Sequence, residues 1–293
     1  MNRSPSSRVL SVGPTLRATL RPSTGGSVRL FVGLSLTALM LAVALLSLVW
    51  TPYPPDAIDM SQRLAGPSSA HWLGCDQLGR DQLSRLMVGA QSVWLVGLLA
   101  VGLGLVGGTL LGLVAAACRG WVEAVILRAC DLGFAFPALL LAIVLAAALG
   151  PGLVIAMVAI GLHAMPSFAR LVNGSAKSWW SRDFVQAARV AGLGPWRITQ
   201  SHVLPQLTPL LLVQCTTQFA LAVLAEAGLS YLGLGAQPPM ASWGRLLAEA
   251  QTLMFEAPQL AIAPGVAITL AVLGLNLLGD GLRDRLDPKG MPR

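Results

Sequence analysis

The sequence predicts an all-α membrane protein with six transmembrane helices and both termini in the cytoplasm. Three observations carry that prediction: a charge-poor composition, apolar runs long enough to cross a bilayer, and basic residues gathered between alternate runs. Of 293 residues, 55% are hydrophobic and only 11% are charged, with a mean hydropathy of +0.69. A soluble domain carries about 25% charged residues to keep its surface wet, and a disordered chain needs low hydrophobicity and high charge. Neither class fits. A closed barrel would alternate polar and apolar residues over about 10 positions per strand, and these runs do not alternate.

Residues 1–28 read as a basic cytoplasmic tail rich in Ser, Pro and Arg, with no acid. Such a stretch sets topology, and it can also lie against anionic headgroups. Leu30 to Trp50 is free of charge over 21 residues, longer than the roughly 7–15 of a signal-peptide core, so residues 29–51 read as an uncleaved anchor. Residues 52–87 follow as an extracytoplasmic segment, and residues 88–280 hold a core of five further helices. Leu86 to Cys118 supplies the second span, with its apolar centre opening near Ser92. Leu132 to Ala169 runs for 38 residues, too long for one span at about 20 residues each. Gly150-Pro151-Gly152 near its middle is a turn signal, which divides the run into a third and a fourth span joined by a tight hairpin. Val203 to Ala225 and Ala257 to Gly279 are the fifth and sixth, and residues 281–293 form a second cytoplasmic tail.

Orientation follows from the preference of Lys and Arg for the cytoplasmic side. With the N-terminus inside, 16 of the 20 basic residues fall in cytoplasmic segments, leaving Arg63, Arg80, Arg85 and Arg245 outside. Eighteen of the 20 are Arg and they collect between apolar runs, so the net charge of +7 points to a bilayer and not to nucleic acid. Cys75, Cys118, Cys130 and Cys215 lack C-x-x-C spacing, which gives neither a zinc site nor a redox pair. Cys75 is the one thiol on the oxidising side.

No catalytic, cofactor or metal motif is present. A P-loop needs a glycine-led lysine to hold phosphates, yet Lys177 follows Ala176 and Lys289 follows Pro288. H-E-x-x-H and G-x-S-x-G are missing as well, and His71, His163 and His202 are too scattered for a helical metal pair. The chain therefore cannot bind ATP through a phosphate loop, and no residue set for covalent chemistry is present.

The longest polar interruption on the cytoplasmic side, from about Arg170 to His202, carries the most information, above all in the segment 181–205. Asp183 with Gln186 three residues on has the form of a capping box, Gly192 suits the position just past a helix, and Pro195 suits the first position of the next. A short helix with small alanines results, able to enter a groove on another protein or to serve as an ordinary amphipathic loop helix. Gln186-Ala187-Ala188, then Gly192, then Leu204-Pro205 resembles the EAA signature of ATP-binding-cassette (ABC) importer permeases, E-A-A-x3-G-x9-I-x-L-P. Gln186 replaces the glutamate, and His202 replaces isoleucine, which is similar to the dipeptide, oligopeptide and nickel branch.

Three further stretches resemble the same branch. His71-Trp72-Leu73-Gly74-Cys75-Asp76-Gln77-Leu78-Gly79-Arg80-Asp81 is similar to its H-x-L-G-T-D-x-x-G-R-D block. Ser230-Tyr231-Leu232-Gly233-Leu234-Gly235-Ala236-Gln237-Pro238-Pro239, with Ser242-Trp243-Gly244, is similar to its S-[FY]-L-G-L-G-x-Q-P-P…S-W-G segment. Asn276-Leu277-Leu278-Gly279-Asp280-Gly281-Leu282-Arg283-Asp284, with Asp287-Pro288, is similar to its closing block.

The resemblance implies the second permease of a pair in a bacterial inner membrane, with the type I importer fold. It also implies a homologous partner permease, two ATPase subunits and an extracytoplasmic solute-binding protein, with peptides, nickel or a metal complex as cargo. Gln186, Ala187, Ala188, Gly192, Leu204 and Pro205 would then couple to the ATPases. Glu226, ending the fifth span, either faces the translocation path or is solvated. Asp76, Arg80 and Asp81 either pair within their loop or meet the binding protein. The competing functions are an intramembrane enzyme, opposed by the missing motifs, and an ATP-independent channel or secondary transporter.

Overall fold

The computed structural model of the chain describes residues 24–286. Residues 1–23 and 287–293, which include most of the basic tail and the Asp287-Pro288 pair, lie outside the described residues. Among the described residues there is no strand, and the architecture is a helical bundle.

Helix α1 (Thr24–Leu46) is followed by an irregular segment and then by α2 (Gln82–Val96) and α3 (Gly102–Cys118). A five-residue π-helical stretch joins α2 to α3, so that Gln82–Cys118 forms one continuous span of 37 residues. α4 (Gly120–Ala135) and α5 (Ala138–Leu149) come next, then α6 (Leu153–Trp180). Two short helices, α7 (Asp183–Val190) and α8 (Pro195–Ile198), lead through a second π-helical turn into α9 (Leu204–Tyr231). α10 (Trp243–Ala250) and α11 (Gln259–Leu286) close the chain.

The third span departs from the expectation. Instead of one helix starting at Leu132, α4 and α5 form a broken pair bent by 86°. Pro137 explains the break, because a proline ring disfavours helical backbone in the residue before it, and Phe136 is extended at φ −93, ψ 119. Glu123, Arg128 and Asp131 on α4 interrupt its apolar character and hid the helix from a search for charge-free runs. Five helices are therefore long and apolar enough to span, and a sixth is reached by counting the bent pair as one. The hairpin at Gly150-Pro151-Gly152 lies where expected, between α5 and α6, with Gly150 at φ +90. The other spans also reach beyond the apolar runs: the first starts earlier at Thr24, and the last runs on to Leu286.

Glycines set the closest approaches. Gly104, Gly108 and Gly112 line one stripe of α3 against α6; a methyl on Gly108 would meet Phe168 Cβ at 2.5 Å, and one on Gly112 would meet Val172 Cβ at 2.7 Å. Apolar lipid offers no hydrophobic drive between helices, so close backbone packing supplies the attraction. α4 is tied to α6 by charge: Glu123 pairs with Lys177 and Asp131 with Arg170, and Asn173 Nδ2 donates to Glu123 Oε1 at 3.0 Å. α9 sits at the centre, contributing to a core shared with α3 and α6 and to another shared with α1, α2, α10 and α11. Two ends result, one carrying α7 and one carrying α10.

Candidate functional site

The α7 end is built by three local devices. Arg182, in extended backbone at φ −77, ψ 149, occupies the cap position without a side-chain cap. The expected capping box is therefore not formed: Asp183 lies one residue inside the helix, where its charge still favours the helix N-terminus. Gln186 reaches further back, its Nε2 donating to the Trp180 carbonyl at 3.1 Å. At the other end Gly192 takes φ +81, Leu193 N–H donates to Ala188 O at 3.1 Å, and Gly192 N–H donates to Arg189 O at 2.9 Å. This is the Schellman arrangement, which satisfies carbonyls a helix end otherwise leaves orphaned. Pro195 then opens α8 at its first turn.

The devices present one face of α7 and hide the other. Val185 and Ala188 are buried against the bundle, whereas Val190 is 90% exposed and Trp196, on α8, is 61% exposed. Gln186, Ala187, Ala191, Gly192 and Pro205 lie at the surface. Ala188 and Leu204 do not: both pack on the same core as α3, α6 and α9. The six residues singled out in the sequence thus divide into a surface set and a supporting pair.

Glu226 is not solvated. It is 1% exposed within this chain. Ser230 Oγ donates to Glu226 Oε1 at 2.6 Å and accepts from Ala236 N–H at 2.9 Å. α10 closes over it because Gly244 leaves room: a methyl there would meet Ala227 Cα at 2.6 Å. The carboxylate is enclosed between α9 and the turn that follows it.

Residues 108–290 match the model of the family described as binding-protein-dependent transport system inner membrane component. The chain belongs to that family. It is 42% identical to the glutathione transport system permease protein GsiD of Pectobacterium atrosepticum, covering 93% of this chain and 89% of the relative. It is 41% identical to the dipeptide transport system permease protein DppC of Alkalihalophilus pseudofirmus, over 88% and 85%. The probable D,D-dipeptide transport system permease protein DdpC of Escherichia coli K12 is 39% identical, over 86% of each. The chain is thus an inner-membrane ABC-importer permease; its relatives are transport proteins, not enzymes, and none supports the ATP-independent reading.

In this permease the α10 end holds a charge network that the sequence reading met only in part. Arg85, 1% exposed, donates through Nη1 to Asp76 Oδ2 at 2.8 Å and to Glu249 Oε2 at 2.6 Å. Arg80 Nε donates to Asp76 Oδ2 at 2.7 Å, and Arg245 Nε to Glu249 Oε1 at 2.9 Å. Asp81 caps α2, accepting from Ser84 N–H at 2.8 Å, and His71 Nδ1 sits 2.9 Å from its other oxygen. The pairing reading of Asp76, Arg80 and Asp81 is the one observed. Arg85 and Glu249 were missed because they are 164 residues apart; the available signal was an arginine at the head of an apolar run, where a charge demands a partner. Burial would raise the Glu249 carboxyl, but Arg85, with Arg80 and Arg245, outweighs it and holds the group below its ordinary value. Cys75 is fully buried beside this network, and burial foremost, then Asp81, pushes its thiol up. Among the described residues no group of three His, Cys, Asp or Glu side chains could hold a metal.

Proposed function

We infer that this permease forms half of a translocation path, completed by a homologous permease, driven by two ABC ATPase subunits and loaded by an extracytoplasmic binding protein. The observation that carries this reading is α7, anchored by Val185 and Ala188 while Ala187, Val190 and Ala191 are left uncovered. A small apolar helix face at i, i+3, i+4 spacing suits a groove on a partner. Gln186, Ala187, Gly192 and Pro205 lie at or beside the ATPase contact, and Ala188 and Leu204 support it from behind. The α7 end is cytoplasmic, as the 16 basic residues of the inside segments favour, and residues 52–87 with α10 are outside. ATP hydrolysis belongs to the partners, in keeping with the missing phosphate loop. Closure of the two ATPases would displace both α7 helices and switch the bundle between two packed states.

Relatives named for glutathione and dipeptides support a short peptide or glutathione-like cargo over nickel or a metal complex. Glu226 serves the α9–α10 turn and leaves cargo contact to other residues.

The test is purification of the assembled transporter carrying Val190→Asp. The partner permease should remain bound while the ATPase subunits are lost. Undiminished ATPase association would sink the reading. Mass spectrometry of the ligand held by the binding protein should return a peptide or glutathione, and a metal complex there would overturn the cargo assignment. Impermeant labelling of single-cysteine variants in intact cells should mark position Ser69 and spare Ser178; the reverse pattern would invert the topology.

A further inference from the structure

Aromatic rings meet where α7 leaves the spanning helices. Trp179, at the end of α6, faces Phe184 of α7 with ring centroids 6.2 Å apart and planes at 54°. Phe184 in turn stacks on His202, with centroids 6.4 Å apart and planes within 23°. His202 belongs to the π-helical turn Thr199–Val203 that leads into α9. The contacts therefore run from one spanning helix, through α7, into the next. One cation braces them, the Arg182 guanidinium lying 5.5 Å from the Trp179 ring, and that of Arg189 lies 4.9 Å from the neighbouring ring of Trp180. Ring pairs at such separations attract beyond their buried area, and a guanidinium over a ring adds to this.

His202 has a further peculiarity. Its Nδ1 is buried without a hydrogen-bond partner among the described residues. An unpaired buried nitrogen is a cost, and the contact that the structure gives this side chain is the ring face against Phe184.

We propose that Trp179, Phe184 and His202 form a joint that locks α6, α7 and the root of α9 into one rigid lever, with His202 as the positioning residue that passes a displacement of α7 to α9. The proposal rests on α7 being the ATPase contact. Without the stack, the turn Gly192–Gly194 would absorb a push on α7, since glycine resists backbone rotation least. With it, the push enters the continuous helix Pro195–Tyr231, about 55 Å long at 1.5 Å per residue. That helix carries Glu226 and the α10 contacts at its far end, so a tilt imposed at His202 is delivered to the opposite side of the bundle.

The experiment uses the whole transporter, reconstituted in liposomes with its binding protein and a transported peptide. His202→Ala opens the stack, and His202→Phe restores a ring without nitrogens. With His202→Ala the ATPase subunits should still co-purify, but peptide transported per ATP should fall roughly ten-fold, a common size for coupling between sites. His202→Phe should return that ratio close to the unmodified value. Phe184→Leu, at a half-exposed position that touches no core, should lower the ratio as well and keeps the test decisive if His202→Ala fails to fold. An unchanged ratio in His202→Ala or Phe184→Leu, or no rescue by His202→Phe, overturns the joint. If Val190→Asp releases the ATPases while the ring variants change nothing, the joint alone falls. If Val190→Asp leaves them bound, the underlying docking assignment falls.

Discussion

At the α10 end, Asp76, Arg80, Arg85, Arg245 and Glu249 pair with one another inside the chain, each with a side chain no more than 22% exposed. At the α7 end, Arg182, Asp183 and Arg189 stand in the open beside an apolar Val190 that is 90% exposed. Both ends are polar interruptions of an apolar chain, and composition alone does not separate them. What separates them is where the partners are. Charges buried by their own chain need no partner from outside, because an unpaired buried charge is costly, although Trp72 and Phe255 stand uncovered at the same end. An uncovered apolar face on a well-capped helix marks a surface that another protein completes.

That contrast can be broken at either end. The largest effect is expected from Arg85→Ala, which strips Asp76 and Glu249 of their most buried cation and should cost about 3–5 kcal/mol. Chemical unfolding of the detergent-solubilised permease reads it, and a loss below 1 kcal/mol would mean the α10 end is not held by its charges. Ala188→Trp comes next. Because Ala188 packs inward, overpacking should cost about 1–3 kcal/mol and expose residues 181–205 to protease before any ATPase is added. Protease resistance combined with failed docking would place Ala188 on the partner face instead.

Gly192→Val should strain the left-handed turn by about 1–2 kcal/mol. Insertion should be normal, while stimulation of ATP hydrolysis by loaded binding protein should be sharply reduced. Full stimulation would detach the turn from coupling.

Acid titration probes the α10 end more gently. Because Glu249 is held below its ordinary value of 4.5, its contribution to stability is complete above that pH and is lost as pH falls through the lowered value. Glu249→Gln should flatten the acid limb of the stability profile, and an unchanged limb would assign it to other carboxylates. The smallest effect is expected from Glu226→Gln, which still accepts the Ser230 hydroxyl and should leave uptake near normal. A marked fall in uptake would return Glu226 to the translocation path.

The spans were legible because their signal is additive: some twenty apolar residues in a row outweigh any local irregularity. The broken pair was not, since Glu123 and Asp131 on α4 read as loop until Lys177 and Arg170 on α6 are placed beside them. Gly192 and Pro195 could be assigned from the sequence, for the stereochemistry of a turn is written in the residues that make it. The side of α7 on which Ala188 lies could not, because helical spacing tells which residues share a face and not what that face meets. Arg85 and Glu249 escaped for the same reason, their meeting being a property of the folded bundle.

The ion pairs between α4 and α6 have a consequence for how the protein is made. α4 emerges from the ribosome before α6, carrying Glu123, Arg128 and Asp131, and charges of this kind partition poorly into hydrocarbon on their own. The counter-charges of Asp131 and Glu123, Arg170 and Lys177, are synthesised about forty and about fifty residues later, as the intervals in the two pairs require. α4 is therefore expected to settle into its final place only once α6 is available: a chain truncated after α5 should insert α4 less fully than the whole chain does, and equal insertion of the two would remove this dependence.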